Sequence, residues 1–157
     1  MPLSASKEMT KMSASTMVAF SQFYRAVALT LSNQISTELS INFDMKDIVC
    51  CDRAYEDITK ELDTFLFVGI YLYHWKGILV MIEPSIIYRL TNSFLGGKGD
   101  AEESPHHQKF SAAQTCYGQH FLGQISACYK HYQFPAVLDR ISDNHLAMHY
   151  FYADEIV

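Results

Sequence analysis

Apolar and polar positions alternate along this chain with periods that change from one stretch to the next. From Ser15 or Thr16 to about Thr37, Phe20, Phe23, Val27, Leu31 and Ile35 recur at spacings of three and four, while Ser21, Arg25, Ser32 and Ser36 face elsewhere. That spacing predicts a helix with one apolar stripe. Ser40 to Arg53 alternates loosely through Ile41, Phe43, Met45, Ile48 and Cys50, which predicts a long, bulged strand. Ala54 to Leu62 is charged and reads as one or two helical turns. Thr64 to His74 is rich in Phe, Val, Ile and Tyr, a strand by composition. His74 to Gly77 makes a turn, and Ile78 to Ile82 returns as the hairpin partner.

Residues 77 to 99 carry three local codes in succession. Ile78 to Ile82 is continuously apolar and suits a strand covered on both faces. Glu83-Pro84 marks a helix start, since proline at the first helical position gives up no hydrogen bond. Ile86, Ile87, Leu90 and Phe94 keep helical spacing, and Gly96 falls where a left-handed C-cap is needed. The expectation is a buried strand, a short amphipathic helix and an exposed Gly96-Gly97-Lys98-Gly99 loop.

Asp100 to Gln108 is acidic and proline-containing, a surface linker. A second long helix begins at Ser111, where Ser111 and Gln114 form a Ser-x-x-Gln capping box behind the staple candidate Phe110. Ala113, Tyr117, Phe121, Ile125, Cys128 and Tyr132 hold its period until Pro135 closes it. Val137 to Ile141 and Leu146 to Tyr152 read as extended segments.

Composition narrows the function classes. A chain of 157 residues, 49% hydrophobic and 18% charged, is expected to form one globular domain. Residues 1–14 are polar and read as a tail, with the domain spanning 15–157. The formal charge of −5 and the lack of a Lys/Arg cluster argue against nucleic acid as a partner. No apolar run reaches the roughly 18 residues of a spanning helix, and Met1 to Thr16 has no signal-peptide core. A cytoplasmic protein is expected. Cys50, Cys51, Cys116 and Cys128 form no Cys-x-x-Cys pair, so reduced, packed thiols are expected.

Glu83-Pro84-Ser85-Ile86-Ile87, followed at the right offset by Phe94-Leu95-Gly96-Gly97-Lys98-Gly99, resembles the middle domain of the flagellar motor switch protein FliM. That family has an acidic residue, Pro-Ser-Leu-Val, then a short helix ending in Phe-Gly-Gly-x-Gly. Phe110 to Gln114 is similar to its Phe-Thr-x-x-Glu, with Gln114 in place of Glu. The resemblance implies an α/β, pseudo-two-fold CheC/FliM-like sandwich, with long helices packed on a mixed or antiparallel sheet. A first repeat would occupy 15–99, a linker 100–108 and a partial second repeat 109–157. Tyr152 to Val157 falls where the family enters its closing hairpin, so either a fragment or an edge completed by another chain is expected. The resemblance does not extend to the family's CheY-capturing peptide or its FliN-like domain.

It further implies a non-enzymatic component of the flagellar switch ring, without cofactor or metal. Gly96, Gly97 and Gly99 would be contacts for a FliG-like rotor protein, and Lys98 would contact a partner charge. Neighbouring FliM-like copies would meet the edges of the long helices, and a FliN-like protein stays open as a partner. The location implied is cytoplasmic, at the inner membrane beneath the basal body. A cytosolic ring of type III secretion is the alternative. A CheC-like phosphatase is the second, but that chemistry uses Glu-x-x-Asn on each long helix. Here Thr30 precedes Asn33, and the second helix has no Asn.

Other chemistries find weaker support. His106-His107 lie in the linker, and His145 and His149 are too far apart on a strand for one ion. His74, His120 and His131 have no nearby carboxylate or thiol set that completes a site; Cys128–His131 is a pair, not a site. Cys116 and His120 are four apart on one helix, where Cys116 reads as the edge of the buried stripe. The glycines end a helix, so its negative dipole end and Asp100, Glu102 and Glu103 oppose phosphate.

Overall fold

The computed structural model describes residues 13–51, 67–74, 76–97 and 110–142. Helix α1 spans Ala14–Leu39, capped by Ser13, whose hydroxyl accepts from the Thr16 N–H. Strands β1 (Phe67–Tyr73) and β2 (Lys76–Ile82) form an antiparallel hairpin, with His74 at φ 54° in the turn. Helix α2 spans Pro84–Phe94, α3 spans Ala112–His131, and β3 spans Ala136–Ser142. The described sheet has the order β2-β1-β3, antiparallel throughout, with a bulge where Ile70 and Tyr71 face β3.

The stripe expected on α1 is where the core begins: Val27, Leu31 and Ile35 are buried, and Phe23 packs against them. Helix α3 is more deeply set than its single predicted stripe implies. Besides Tyr117, Phe121, Ile125 and Cys128 it buries Gly118, Leu122 and Tyr129, because it is held between α1 on one side and β1 and β3 on the other. Ala113 and Tyr132, assigned to that stripe, are exposed. Tyr71 donates from β1 to the Leu122 carbonyl at 2.6 Å. An aromatic cluster of Phe23, Tyr24, Tyr71, Tyr73, Tyr129 and Phe134 closes one end of the core, with ring centroids 4.6 Å apart for Tyr73 and Phe134. Phe110 seats on Phe67 and Tyr88, which joins the start of α3 to β1 and α2.

Three expectations need correction. Residues 42–50 belong to no helix or strand and pair with none among the described residues, and Asp47 has φ 55°. Serines of α1 take the place of a ladder: Ser36 Oγ donates to the Phe43 carbonyl at 2.8 Å and accepts from its N–H at 3.0 Å, and Ser32 Oγ accepts from Met45 N–H. A largely apolar cleft of about 640 Å³ separates this segment from β2. Accordingly β2 is not covered on both faces. It is an edge strand of the described sheet, with Ile82 buried and Ile78 to Met81 only partly so, and the deeply buried strand is β1. Finally, Cys128 alone of the four thiols is buried; Cys51 and Cys116 are exposed and Cys50 is intermediate. The segments expected at 54–62, 100–108 and 146–152 lie outside the described residues, as do His106, His107, His145 and His149.

Candidate docking turn at the end of helix α2

The sequence builds α2 as an element that starts and stops sharply. Glu83 is the N-cap residue, in extended conformation and without a side-chain cap bond, and Pro84 follows at the first helical position. The Glu83 carbonyl accepts from Ile86 and Ile87 N–H, while Ser85 faces solvent. Ile87 and Leu90 are buried. At the other end Gly97 N–H donates to the Asn92 carbonyl (2.8 Å) and Gly96 N–H to the Ser93 carbonyl (3.1 Å). With Gly96 at φ 93°, these two bonds make a Schellman turn. Gly96 is the residue whose left-handed backbone a side chain would strain. Gly97 is required for another reason, since a Cβ there would run into the Asn92 side chain.

The turn therefore projects four exposed residues in a row: Phe94 (56%), Leu95 (68%), Gly96 and Gly97. Phe94 does not join the buried stripe with Ile87 and Leu90. The last turn of α2 carries it past the core to the rim of Tyr117, 5.8 Å between rings. Ile86, also assigned to the stripe, is 36% exposed. Lys98 and Gly99 lie outside the described residues. Two hydroxyls of α2, those of Thr91 and Ser93, are buried without a hydrogen-bond partner.

His120 faces a single carboxylate: its Nε2 lies 2.7 Å from Glu38 Oε1, and Gln124 donates to Glu38 Oε2 at 2.6 Å. This seam ties α1 to α3 at a site open to water, where such pairs contribute little. Its imidazole faces Glu38, and Cys116 is exposed on the helix surface, not set at the edge of the core. Cys128 contacts Gln34 instead of pairing with His131. Thr30, in the place of a phosphatase carboxylate, bonds the Tyr132 hydroxyl. Among the described residues no group of three or more His, Cys, Asp or Glu is placed to hold a metal. No helix among them is long and apolar enough to cross a membrane. Burial pushes the phenols of Tyr24, Tyr71, Tyr117 and Tyr129 up, Tyr71 to about 12; the Glu38 charge adds to the effect at Tyr117. These groups act as packed phenols with ionisation suppressed.

Two long helices packed on an antiparallel sheet, with a short helix ending in an exposed glycine turn, define the FliM middle-domain fold. Three crystal structures from H. pylori carry the comparison. A chain of a FliG–FliM complex superposes with a TM-score of 0.75 at 18% identity, over 85% of this chain and 76% of that one. The isolated FliM middle domain gives 0.69 at 16%, over 85% and 74%. FliM in a complex with SpeE gives 0.70 at 15%, over 86% and 72%. No family model matches the sequence, and no curated protein does. The common ground is three-dimensional.

Proposed function

We propose that this chain is a non-enzymatic module of a flagellar rotor ring, which docks a FliG-like protein through the turn at residues 94–99. The observation that carries the reading is the placement of Phe94 and Leu95, more than half exposed beside a left-handed glycine turn. Covering what each still exposes would contribute about 1–2 kcal/mol. The glycines let the partner's backbone approach closely. A fold shared with FliM in a FliG complex supports the same assignment. Lys98 and Gly99 complete the contact, and the edges of α1 and α3 meet neighbouring copies. The module works in the cytoplasm, at the inner membrane beneath the basal body.

The test is binding of a purified FliG-type rotor protein to Leu95→Lys. Leu95 is exposed, so the substitution should leave the thermal melt in place and abolish the complex. Unchanged affinity would count against the docking site. Gly97→Arg is a poorer choice, because its Cβ would also displace Asn92 from the end of α2.

A further inference from the structure

We propose that the notch between the end of α2 and the start of α3 receives a carboxylate side chain of the docked partner. The inference rests on the docking reading above, since a partner held at the glycine turn is what brings the carboxylate within reach. The notch is small, about 160 Å³, with Thr91, Asn92 and Leu95 on one wall and Ser111, Ala113 and Gln114 on the other. That is room for the end of one side chain.

Two independent observations mark it as a site, and the first gives it a sign. The first is the N-terminus of the 20-residue α3. In its capping box, Ser111 Oγ accepts from Gln114 N–H and Gln114 Oε1 accepts from Ser111 N–H. The N–H groups of Ala112 and Ala113 are left as the helix donors that the box does not satisfy. The first turn holds no acidic residue, and Gln114 is neutral where a Ser-x-x-Glu box would place a carboxylate. The positive end of the helix dipole is thus uncompensated by its own first turn. The second observation is Thr91. It lines the notch at 5% exposure, and its hydroxyl has no hydrogen-bond partner. The two N–H groups and the positive dipole end favour an anionic acceptor, to which the Thr91 hydroxyl can donate as well. Leu95 lines the notch and also stands on the docking turn, so one partner surface reaches both. The partner should therefore present an Asp or Glu beside the apolar patch that covers Phe94 and Leu95.

The experiment titrates the FliG-type rotor protein into wild type, Gln114→Glu and Thr91→Val, with a thermal melt of each free chain. Gln114→Glu should raise the melting temperature, because the chain's own carboxylate takes the helix end. It should also weaken the partner by about tenfold, the scale of one charge-assisted hydrogen bond. Thr91→Val, which keeps shape and removes the orphan hydroxyl, should weaken the partner about five- to tenfold without lowering the melt. Neutralising the partner's acidic residue should weaken wild type by a similar factor and add nothing to Gln114→Glu. Wild-type affinity in both variants, while Leu95→Lys abolishes the complex, overturns the notch and leaves the docking turn standing. If wild type itself fails to bind, both fall. A lower melt of the free chain on neutralising Glu102 and Glu103, with the Gln114→Glu gain lost, assigns the notch to the chain's own acids and overturns the proposal.

Discussion

The ring of Phe67 on β1 lies where a side chain at position 118 of α3 would be: a Cβ built on Gly118 would stand 2.5 Å from Phe67 Cζ. The arrangement is reciprocal, because a Cβ on Gly69 of β1 would stand 2.6 Å from Leu122 Cδ2 of α3. Helix and strand each give up one side chain to admit the other's. Gly118→Ala should therefore destabilise, although alanine is the better helix former by about 1 kcal/mol. Phe67 is fully buried and has nowhere to retreat. A net loss of about 1–3 kcal/mol is expected in urea unfolding, as for other overpacked cores. Gly123, with open space around it, serves as the control: Gly123→Ala should stabilise.

Alkaline pH should unfold this protein through its tyrosines. A phenol whose pKa is raised in the folded state contributes stability that is complete below the unfolded value near 10. It is lost as pH climbs towards the folded value, since the unfolded chain ionises first. For Tyr71, at about 12, the loss across that window is about 2–3 kcal/mol. Tyr24, Tyr117 and Tyr129 shift in the same direction, chiefly by burial, and add to it. Urea midpoints should be flat with respect to these groups up to pH 9 and fall steeply by pH 11. Phenolate absorbance at these four should rise with unfolding and not before it. A midpoint that holds to pH 11 contradicts the burial described.

Ser36 holds the segment after α1 by a two-way bond to Phe43. Ser36→Ala leaves both backbone groups of a half-buried residue without that partner, at a cost of about 1–2 kcal/mol. The effect should be local. Amide exchange at Phe43 and Met45 should quicken about tenfold, while the core of α3 keeps its protection.

Thiol reagents should sort the cysteines. Cys51 and Cys116 should react at once in native buffer, and Cys128 only after denaturant is added, since it is buried and its pKa is raised by desolvation. Cys116→Ser should leave the melt unchanged. Fast labelling of Cys128 would place α3 elsewhere.

What could be read from the sequence was the part decided within a turn or two of chain. The α1 stripe, the Ser111–Gln114 box, the Pro84 start and the left-handed Gly96 all depend on neighbours a few residues away, and all are present. The missed features depend on distant partners. Whether Ile78 to Met81 is central or at an edge is set by which strands lie alongside, and whether residues 42–50 pair is set by the same choice. Glu38 meets His120 across 82 positions, beyond any periodicity. Leu122 and Tyr129 escaped because a helix buried on two sides shows a second stripe that a single-face template does not count. Phe94 kept helical spacing, yet its helix outruns the core by one turn.

The two glycines that end α2 are held by separate demands, one by its backbone angle and the other by Asn92 beneath it. A position fixed by folding is not free to drift when a binding partner changes. Under the proposed docking, coevolution with a partner would be written in the flanking side chains, Phe94 and Leu95 first among them, while the glycines persist like the spine of a worn book whose pages have been replaced.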